Sequence, residues 1–295
     1  HARTHARTHT HTHTSWVSRM SVGHRCGTKP SLNIDPKPSL NQPASICFGV
    51  SGSVAAVKVP QIVRSLLQRG ISIDLVLTES ACKLLHARYR ESIPWDELQQ
   101  LVSEHGSGVD KFAGIGTYDD LPATPRLTLW RDADEWGNYG SVGDDPVLHV
   151  ELAKRNQALL IAPLCANTLA SAAVGWCGSL LACVLRAWYY DLDPIFANPL
   201  AHRFGAQSVN RPVIVAPAMN TIMYHQRITS THLDTLTARG VHVVPAVSKL
   251  LACGDTGMGA MAPVEEVVEV TLQLLNEHLA ATNEAAVVGK PVFRV

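Results

Sequence analysis

Three side chains in this sequence have the chemistry of a small acid–base site: His149, Asn220 and Cys253. His149 lies in Pro146-Val147-Leu148-His149-Val150-Glu151-Leu152, a largely apolar helical pattern, where an imidazole that titrates near neutrality can act as a general base. A satisfied core or surface histidine is the competing reading. Glu151 and Lys154 are candidates to tune it, although residues two apart do not share a helix face. Asn220 follows the β-branched run Pro212-Val213-Ile214-Val215-Ala216-Pro217, in which Pro217 is expected to end ladder pairing after Ala216. That places an amide able to donate and accept just past a strand end, bracketed by Met219 and Met223. Helix capping is the alternative for it. Cys253 stands in Ala252-Cys253-Gly254-Asp255-Thr256-Gly257-Met258-Gly259-Ala260-Met261. This glycine-punctuated loop reads as a mobile lid whose thiol can donate a proton to an enclosed substrate. A buried apolar filler is the alternative.

Ser51-Gly52-Ser53, at an expected strand-to-helix turn, offers two hydroxyls, backbone N–H groups and the positive end of a helix dipole. It lacks the second and third glycines of the dinucleotide fingerprint, so a mononucleotide with a single phosphate suits it better. Thr78-Glu79-Ser80 is similarly placed after the second expected strand. Pro163-Leu164-Cys165-Ala166-Asn167-Thr168 repeats the pattern around Asn220. Each of these segments alone also reads as an ordinary helix cap.

All of them fall at the carboxyl ends of expected strands, where open parallel α/β sheets bind ligands. Strands are expected at 46–50, 71–77, 126–130, 158–162, 213–216 and 241–244. Helices are expected at 54–70, kinked at Pro60, then after Pro146, and at 167–173, 180–188, 231–239 and 264–279. This alternation predicts a single doubly wound parallel sheet with helices on both faces. Residues 91–125 and 191–211 lose periodicity and read as surface insertions. The expected organisation is a disordered or extraneous segment over 1–44, one domain over 45–281 and a tail over 282–295.

Composition narrows the function classes. Of 295 residues, 46% are hydrophobic and 17% charged, and Lys+Arg 25 balances Asp+Glu 25. No strong field then favours nucleic acid or an anionic membrane, and no apolar stretch approaches the ~18–20 residues of a bilayer span. The seven cysteines are odd in number and scattered, which predicts reduced thiols in the cytoplasm. His-Ala-Arg-Thr occurs twice at the start, followed by alternating His and Thr up to Thr14. Such a repeat offers no fixed metal geometry, no metal site is expected elsewhere, and Met20 is the expected start of the folded protein's own sequence.

Seven segments, in order, carry a family resemblance. They are Gly52-Ser53-Val54-Ala55-Ala56-Val57-Lys58, Asp134-Glu135-Trp136, Asp145-Pro146-Val147-Leu148-His149-Val150-Glu151-Leu152, Ala166-Asn167-Thr168-Leu169, Leu185-Arg186-Ala187-Trp188, residues 217–223, and Ala252-Cys253-Gly254-Asp255. Over residues 46 to 263 the chain resembles the homo-oligomeric flavin-containing cysteine decarboxylases, in particular their eukaryotic branch acting on 4'-phosphopantothenoylcysteine. The resemblance implies a flavodoxin-like fold and FMN held by Gly52, Ser53, Val54, Thr78, Glu79, Ser80, Cys165, Ala166, Asn167, Thr168 and Ala218. It implies a base at His149, substrate contacts at Asn220 (to the carboxylate) and Met223, a proton donor at Cys253, and a homotrimer with the flavin near an interface.

The implied reaction belongs to coenzyme A biosynthesis and yields 4'-phosphopantetheine. A β-thiol carboxylate has no electron sink for direct loss of CO2. Flavin oxidation of the thiol-bearing carbon to a thioaldehyde supplies one, decarboxylation leaves an ene-thiol, and reduced flavin then returns the hydride with no net redox change. A regulatory subunit of the phosphatase-inhibitor type is the alternative. Possession of both His149 and Cys253 favours the catalyst. Three departures stand out: Cys165 where many relatives have Ser, Gly178-Ser179 in place of Asp-Asn, and Ala153-Lys154 in place of two arginines.

Overall fold

A computed structural model describes residues 44–106, 111–112, 124–204, 210–250 and 256–287. The chain divides into two units, His1–Lys37 and Pro38–Val295, of which the first lies wholly outside the described residues, as does the expected start at Met20. In the second unit, the seven-residue runs Ala44–Val50 (β1), Ile71–Leu77 (β2) and Ala158–Leu164 (β4) form strands buried along their whole length. Burial on both sides is what a parallel strand covered by helices requires. Leu127–Arg131 (β3), Val213–Pro217 (β5) and His242–Val243 (β6) complete a parallel sheet of order β3-β2-β1-β4-β5-β6.

Alternating side chains feed two cores. On one face Phe48 and Leu75 pack with Ile62 and Leu66 of α1 (Val59–Gln68), Leu98 of α3 (Pro94–His105) and Leu272 of α10 (Val264–Val287). On the other, Cys47, Val76 and Ile161 pack with Leu152 of α4 (Leu148–Arg155), Leu169 of α5 (Ala166–Val174), Leu181 of α6 (Leu180–Ala187) and Leu236 of α9 (Arg227–Ala238). The doubly wound, flavodoxin-like α/β architecture is the one expected. Its winding reverses between β1 and β4, so the crevice for a ligand opens beyond their carboxyl ends. The remaining elements are α2 (Glu79–Leu85), α7 (Pro194–Phe204), α8 (Thr221–His225) and an antiparallel hairpin of Val247–Leu250 (β7) and Thr256–Ala260 (β8). No helix among the described residues is long and apolar enough to cross a membrane.

Several local expectations need correction. The helix expected over 54–70 is a 3-10 turn, Val54–Lys58, followed by α1, and Pro60 sits in the first turn of α1 instead of kinking it. There its missing N–H removes no helical bond. The stretch 91–125 is not wholly irregular, because it contains α3. Pro94 opens that helix, Asp96 and Glu97 favour its first turn, and Trp95, Leu98 and Leu101 form its buried stripe. Likewise α7 lies within 191–211, where an internal proline, Pro199, obscured the helical pattern. Strand β5 runs one residue further than expected: after a one-residue register shift between Ile161 and Leu164, Pro217 pairs with Leu164, and the Ala218 N–H donates to the Leu164 carbonyl at 2.9 Å. The ladder thus continues around the proline's missing donor.

One buried charge cluster ties the end of α4 to β2 and to the edge strand β3. Asp74 of β2 accepts from Trp130 Nε1 of β3 at 2.9 Å, from Asn156 Nδ2 at 2.9 Å and from Arg155 Nε at 2.7 Å, with a further contact from Arg155 Nη2. Burial would raise the Asp74 carboxyl, but the Arg155 charge and these hydrogen bonds outweigh it and hold the group below its usual range. Arg211 Nη1 donates to the carbonyls of Ala153, Lys154 and Asn156 at 2.9, 2.7 and 3.0 Å, closing the C-terminus of α4.

Asp74→Ala leaves Arg155 buried without its anion and should cost about 3–5 kcal/mol in urea unfolding. An unchanged midpoint would remove the cluster from the fold's supports. A second expectation concerns His278 of α10, pushed down to about 4 by burial and then by Arg211. Between its ordinary 6.5 and about 4 the unfolded chain takes up a proton that the folded chain does not. Stability contributed by neutral His278 is therefore full above about 6.5 and declines as the pH falls toward about 4. His278→Gln should flatten the fall of unfolding midpoint across that window, and parallel profiles would contradict this.

Candidate functional site

The two strand ends flanking the reversal point are joined by one side chain. Ser51, fully buried, donates its N–H and its hydroxyl to the Pro163 carbonyl at 3.2 and 2.8 Å, and its Oγ accepts the Cys165 N–H at 2.7 Å. Of the two hydroxyls expected to face an anion, that of Ser51 is spent inside the protein. Ser53 remains, capping the 3-10 turn by accepting the Ala55 N–H at 3.4 Å, and Val54 beside it is about half exposed. Gly52 permits a close approach: a Cβ there would lie 2.5 Å from the Cβ of Ser80. The turns after β1 and β2 therefore touch, as a shared ligand site requires.

In that second turn, Thr78 caps α2 by accepting the Ala81 N–H at 3.3 Å. The Glu79 carboxylate pairs with Lys83 at 2.7 Å. Asp132, just after β3, accepts the Glu79 N–H at 3.3 Å and the Leu180 N–H at 2.8 Å, so one carboxylate holds the starts of α2 and α6. Beyond β4, Cys165 caps α5. Its Sγ accepts the Thr168 N–H at 3.5 Å and donates to Thr168 Oγ1 at 3.4 Å. Burial raises this thiol, but hydrogen bonds with Ser51, Thr168 and backbone N–H groups outweigh it and bring the thiol below its ordinary value. Ala166 is half-buried and Asn167 exposed on the first turn of the same helix.

Beyond β5, Ala218 is buried and Asn220 half-buried. Asn220 does cap a helix: its Oδ1 accepts the Ile222 N–H of α8 at 2.8 Å. A carboxylate can then be held only through the Nδ2 donor. Met223, one turn on, is 44% exposed. The stretch read as a mobile glycine loop is partly strand, since β8 covers Thr256–Ala260. Its glycines serve packing. Gly259 has φ +126, its carbonyl accepts the Met219 N–H at 2.9 Å, and a Cβ there would lie 2.4 Å from the Met219 carbonyl oxygen. A Cβ on Gly257 would lie 2.6 Å from Thr221 Cγ2. Residues 251–255, with Cys253, lie outside the described residues.

A crossover helix runs back against its strands, so the first turn of α4, with His149, lies at the carboxyl end of the sheet. The residue beside His149 is not Glu151, which pairs with Lys154 at 3.0 Å. It is Glu135: His149 Nδ1 lies 2.5 Å from Glu135 Oε1, with side chains 24% and 8% exposed. Reading by sequence gave Glu135 no role. The available signal was an acidic run, Asp132-Ala133-Asp134-Glu135, directly after an expected strand. His149 stands in the first turn of the helix that leads into β4, and Asn220 caps the helix that follows β5.

Residues 35–276 match the family model described as Flavoprotein. The chain belongs to the Flavoprotein family. This flavoprotein is 34% identical over 242 residues to phosphopantothenoylcysteine decarboxylase of Mus musculus, covering 82% of this chain and 92% of the relative. It is 35% identical over 245 residues to the protein of the same name from Oryza sativa subsp. japonica, covering 83% and 85%. Among solved structures it resembles a PPC decarboxylase mutant complexed with pantothenoylaminoethenethiol, with TM-score 0.56, 31% identity and coverage of 80% and 100%. It also resembles the FMN binding protein AtHal3, with TM-score 0.53, 31% identity and coverage of 78% and 95%.

Ser51→Ala in this flavoprotein should strip the Pro163 carbonyl and Cys165 N–H of a buried partner and lower stability by about 1–3 kcal/mol. Chemical denaturation measures this, and a neutral substitution would show that the clamp between β1 and β4 is dispensable.

Proposed function

We propose that this chain is an FMN-dependent decarboxylase that converts 4'-phosphopantothenoylcysteine to 4'-phosphopantetheine in coenzyme A biosynthesis, working as a cytoplasmic homotrimer, with residues 45–281 as the catalytic domain. The structural observation that carries the reading is the fastening of the β7–β8 hairpin to the Asn220 turn through Met219 and Gly259. It seats β8 against the turn that carries the amide assigned to the substrate. Likeness to decarboxylases of this name over most of both chains supports the substrate. Exposed Val174, Trp176, Ile222 and Ile228 support burial of apolar surface between subunits.

The crevice suits a flavin mononucleotide. Gly52 leaves room at the turn, Ser53 offers a hydroxyl, Val54 an exposed apolar side chain, and residues 51–58 contain no carboxylate to repel a phosphate. Bound FMN supplies a reversible acceptor for two electrons. Ser53 and neighbouring N–H groups would hold its phosphate, with Gly52 and Val54 alongside. Thr78, Glu79 and Ser80 shape the adjoining wall, and Cys165, Ala166, Asn167, Thr168 and Ala218 the opposite one. Asn220 orients the substrate carboxylate through Nδ2, with Met223 beside it. His149 takes a proton at Nε2 as the thiol-bearing carbon is oxidised. Cys253 returns a proton to carbon after CO2 has left.

Purified protein should be yellow and release CO2 from 4'-phosphopantothenoylcysteine. His149→Asn should keep the flavin absorbance and lose at least ~100-fold in turnover, the usual contribution of a positioned base. A colourless wild type that releases no CO2 would defeat the reading, and near-normal turnover in the variant would take His149 out of the reaction.

A further inference from the structure

The clearest unassigned group is the carboxylate against His149. Glu135 is 92% buried by its 8% side-chain exposure, and its Oε1 lies 2.5 Å from the imidazole Nδ1. Its other oxygen, Oε2, is buried and meets no hydrogen-bond partner among the described residues. Among the described residues, the carboxylate's one close hydrogen-bonding contact is thus the imidazole. A buried carboxylate is costly unless it is paired, so its retention here calls for a partner that carries a proton toward it.

Its neighbours are organised to leave it that task. Asp132 is committed to the N–H groups of Glu79 and Leu180. Asp134 is committed to the Arg131 N–H at 2.8 Å and to Lys111 at 2.7 Å. Cys183 faces Glu135 from α6, and its thiol is pushed up to about 11 by burial first and then by Cys177 and Glu135. It stays neutral and adds no second negative charge. One acidic turn therefore sends two carboxylates to structural donors and the third inward to His149.

We propose that Glu135 is the positioning residue of this site, fixing His149 as the Nδ1–H tautomer so that Nε2 is the nitrogen that accepts the substrate proton. This rests on the decarboxylase reading above. A carboxylate can only accept, so the Nδ1 proton is held between the two groups and the basic lone pair is confined to Nε2. When Nε2 takes a proton the ring becomes a cation, and Glu135 is already placed to balance that charge without reorganisation. The same contact sets the ring plane, since the imidazole is anchored at both Cβ and Nδ1.

The test pairs kinetics with a measurement that needs no turnover. Protein labelled with 15N-histidine, with the His149 signals assigned from the His149→Asn spectrum, should show the Nδ1–H form of the neutral ring. Glu135→Leu should move His149 toward the Nε2–H form and lower kcat about 100-fold, with KM and flavin absorbance unchanged, a loss of the size found for outer partners of site histidines. Glu135→Gln keeps the shape and should fold even if the Leu variant does not. Its amide can donate as well as accept, so it should show a mixture of tautomers and a kcat reduced about 10-fold. The proposal falls if wild-type His149 is the Nε2–H form, if the Leu variant keeps the wild-type tautomer, or if the Gln variant turns over at the wild-type rate. Activity lost only in proportion to lost flavin would also overturn it. If wild type releases no CO2, the decarboxylase reading fails separately, and the tautomer comparison still decides whether Glu135 sets His149.

Discussion

Much of the molecule hangs on the buried carboxylate of Asp74. It lies mid-strand in β2, receives the Trp130 indole from β3, and takes both Arg155 and Asn156 from the end of α4. A strand that is apolar on both faces tolerates one charge only when that charge is fully paired. The pairing fixes how α4 lies across the sheet. Because α4 is a short rod, fixing its far end also fixes its first turn, where His149 stands. Asp74 and Glu135 therefore act on the same helix from its two ends: one sets the axis, the other sets a ring.

Ser51 plays a comparable part at the crevice. Its hydroxyl bridges the ends of the two strands between which the winding reverses, so the turns after β1 and β4 are tied together by one buried residue. Gly52 and Gly259 then set distances. One lets the turns after β1 and β2 meet, and the other lets the hairpin press on the Met219 carbonyl. The site is built from close approaches of backbone, with few side chains reaching far.

What could be read in advance follows from range. Apolar runs such as 71–77 and 158–162 announce buried parallel strands because every residue must face a helix layer, and Asn220 is legible as the amide after such a run. The helix α3 was hidden because its apolar stripe is short and flanked by polar residues, and α7 because Pro199 interrupts it. Glu135 escaped because its partner is fourteen residues away across a turn with no periodic signature. Cys253 marks the opposite limit. Its motif is plain in the sequence, while its position belongs to residues 251–255, outside those described.

The pairing of β1 with β4 has a consequence for how the protein is made. Ser51 and Pro163 are 112 residues apart, with β2, β3 and four helices between them. As the chain emerges, β1 and β2 can pair through a short crossover, giving half a sheet in which β1 is left as an open edge. The cleft does not exist until β4 arrives and closes that edge, and such distant pairings form slowly because a long loop must be ordered first. Cofactor capture is therefore a late event in the life of each chain, and until then the uncovered edge of β1 is the segment most in need of protection from other unfolded chains.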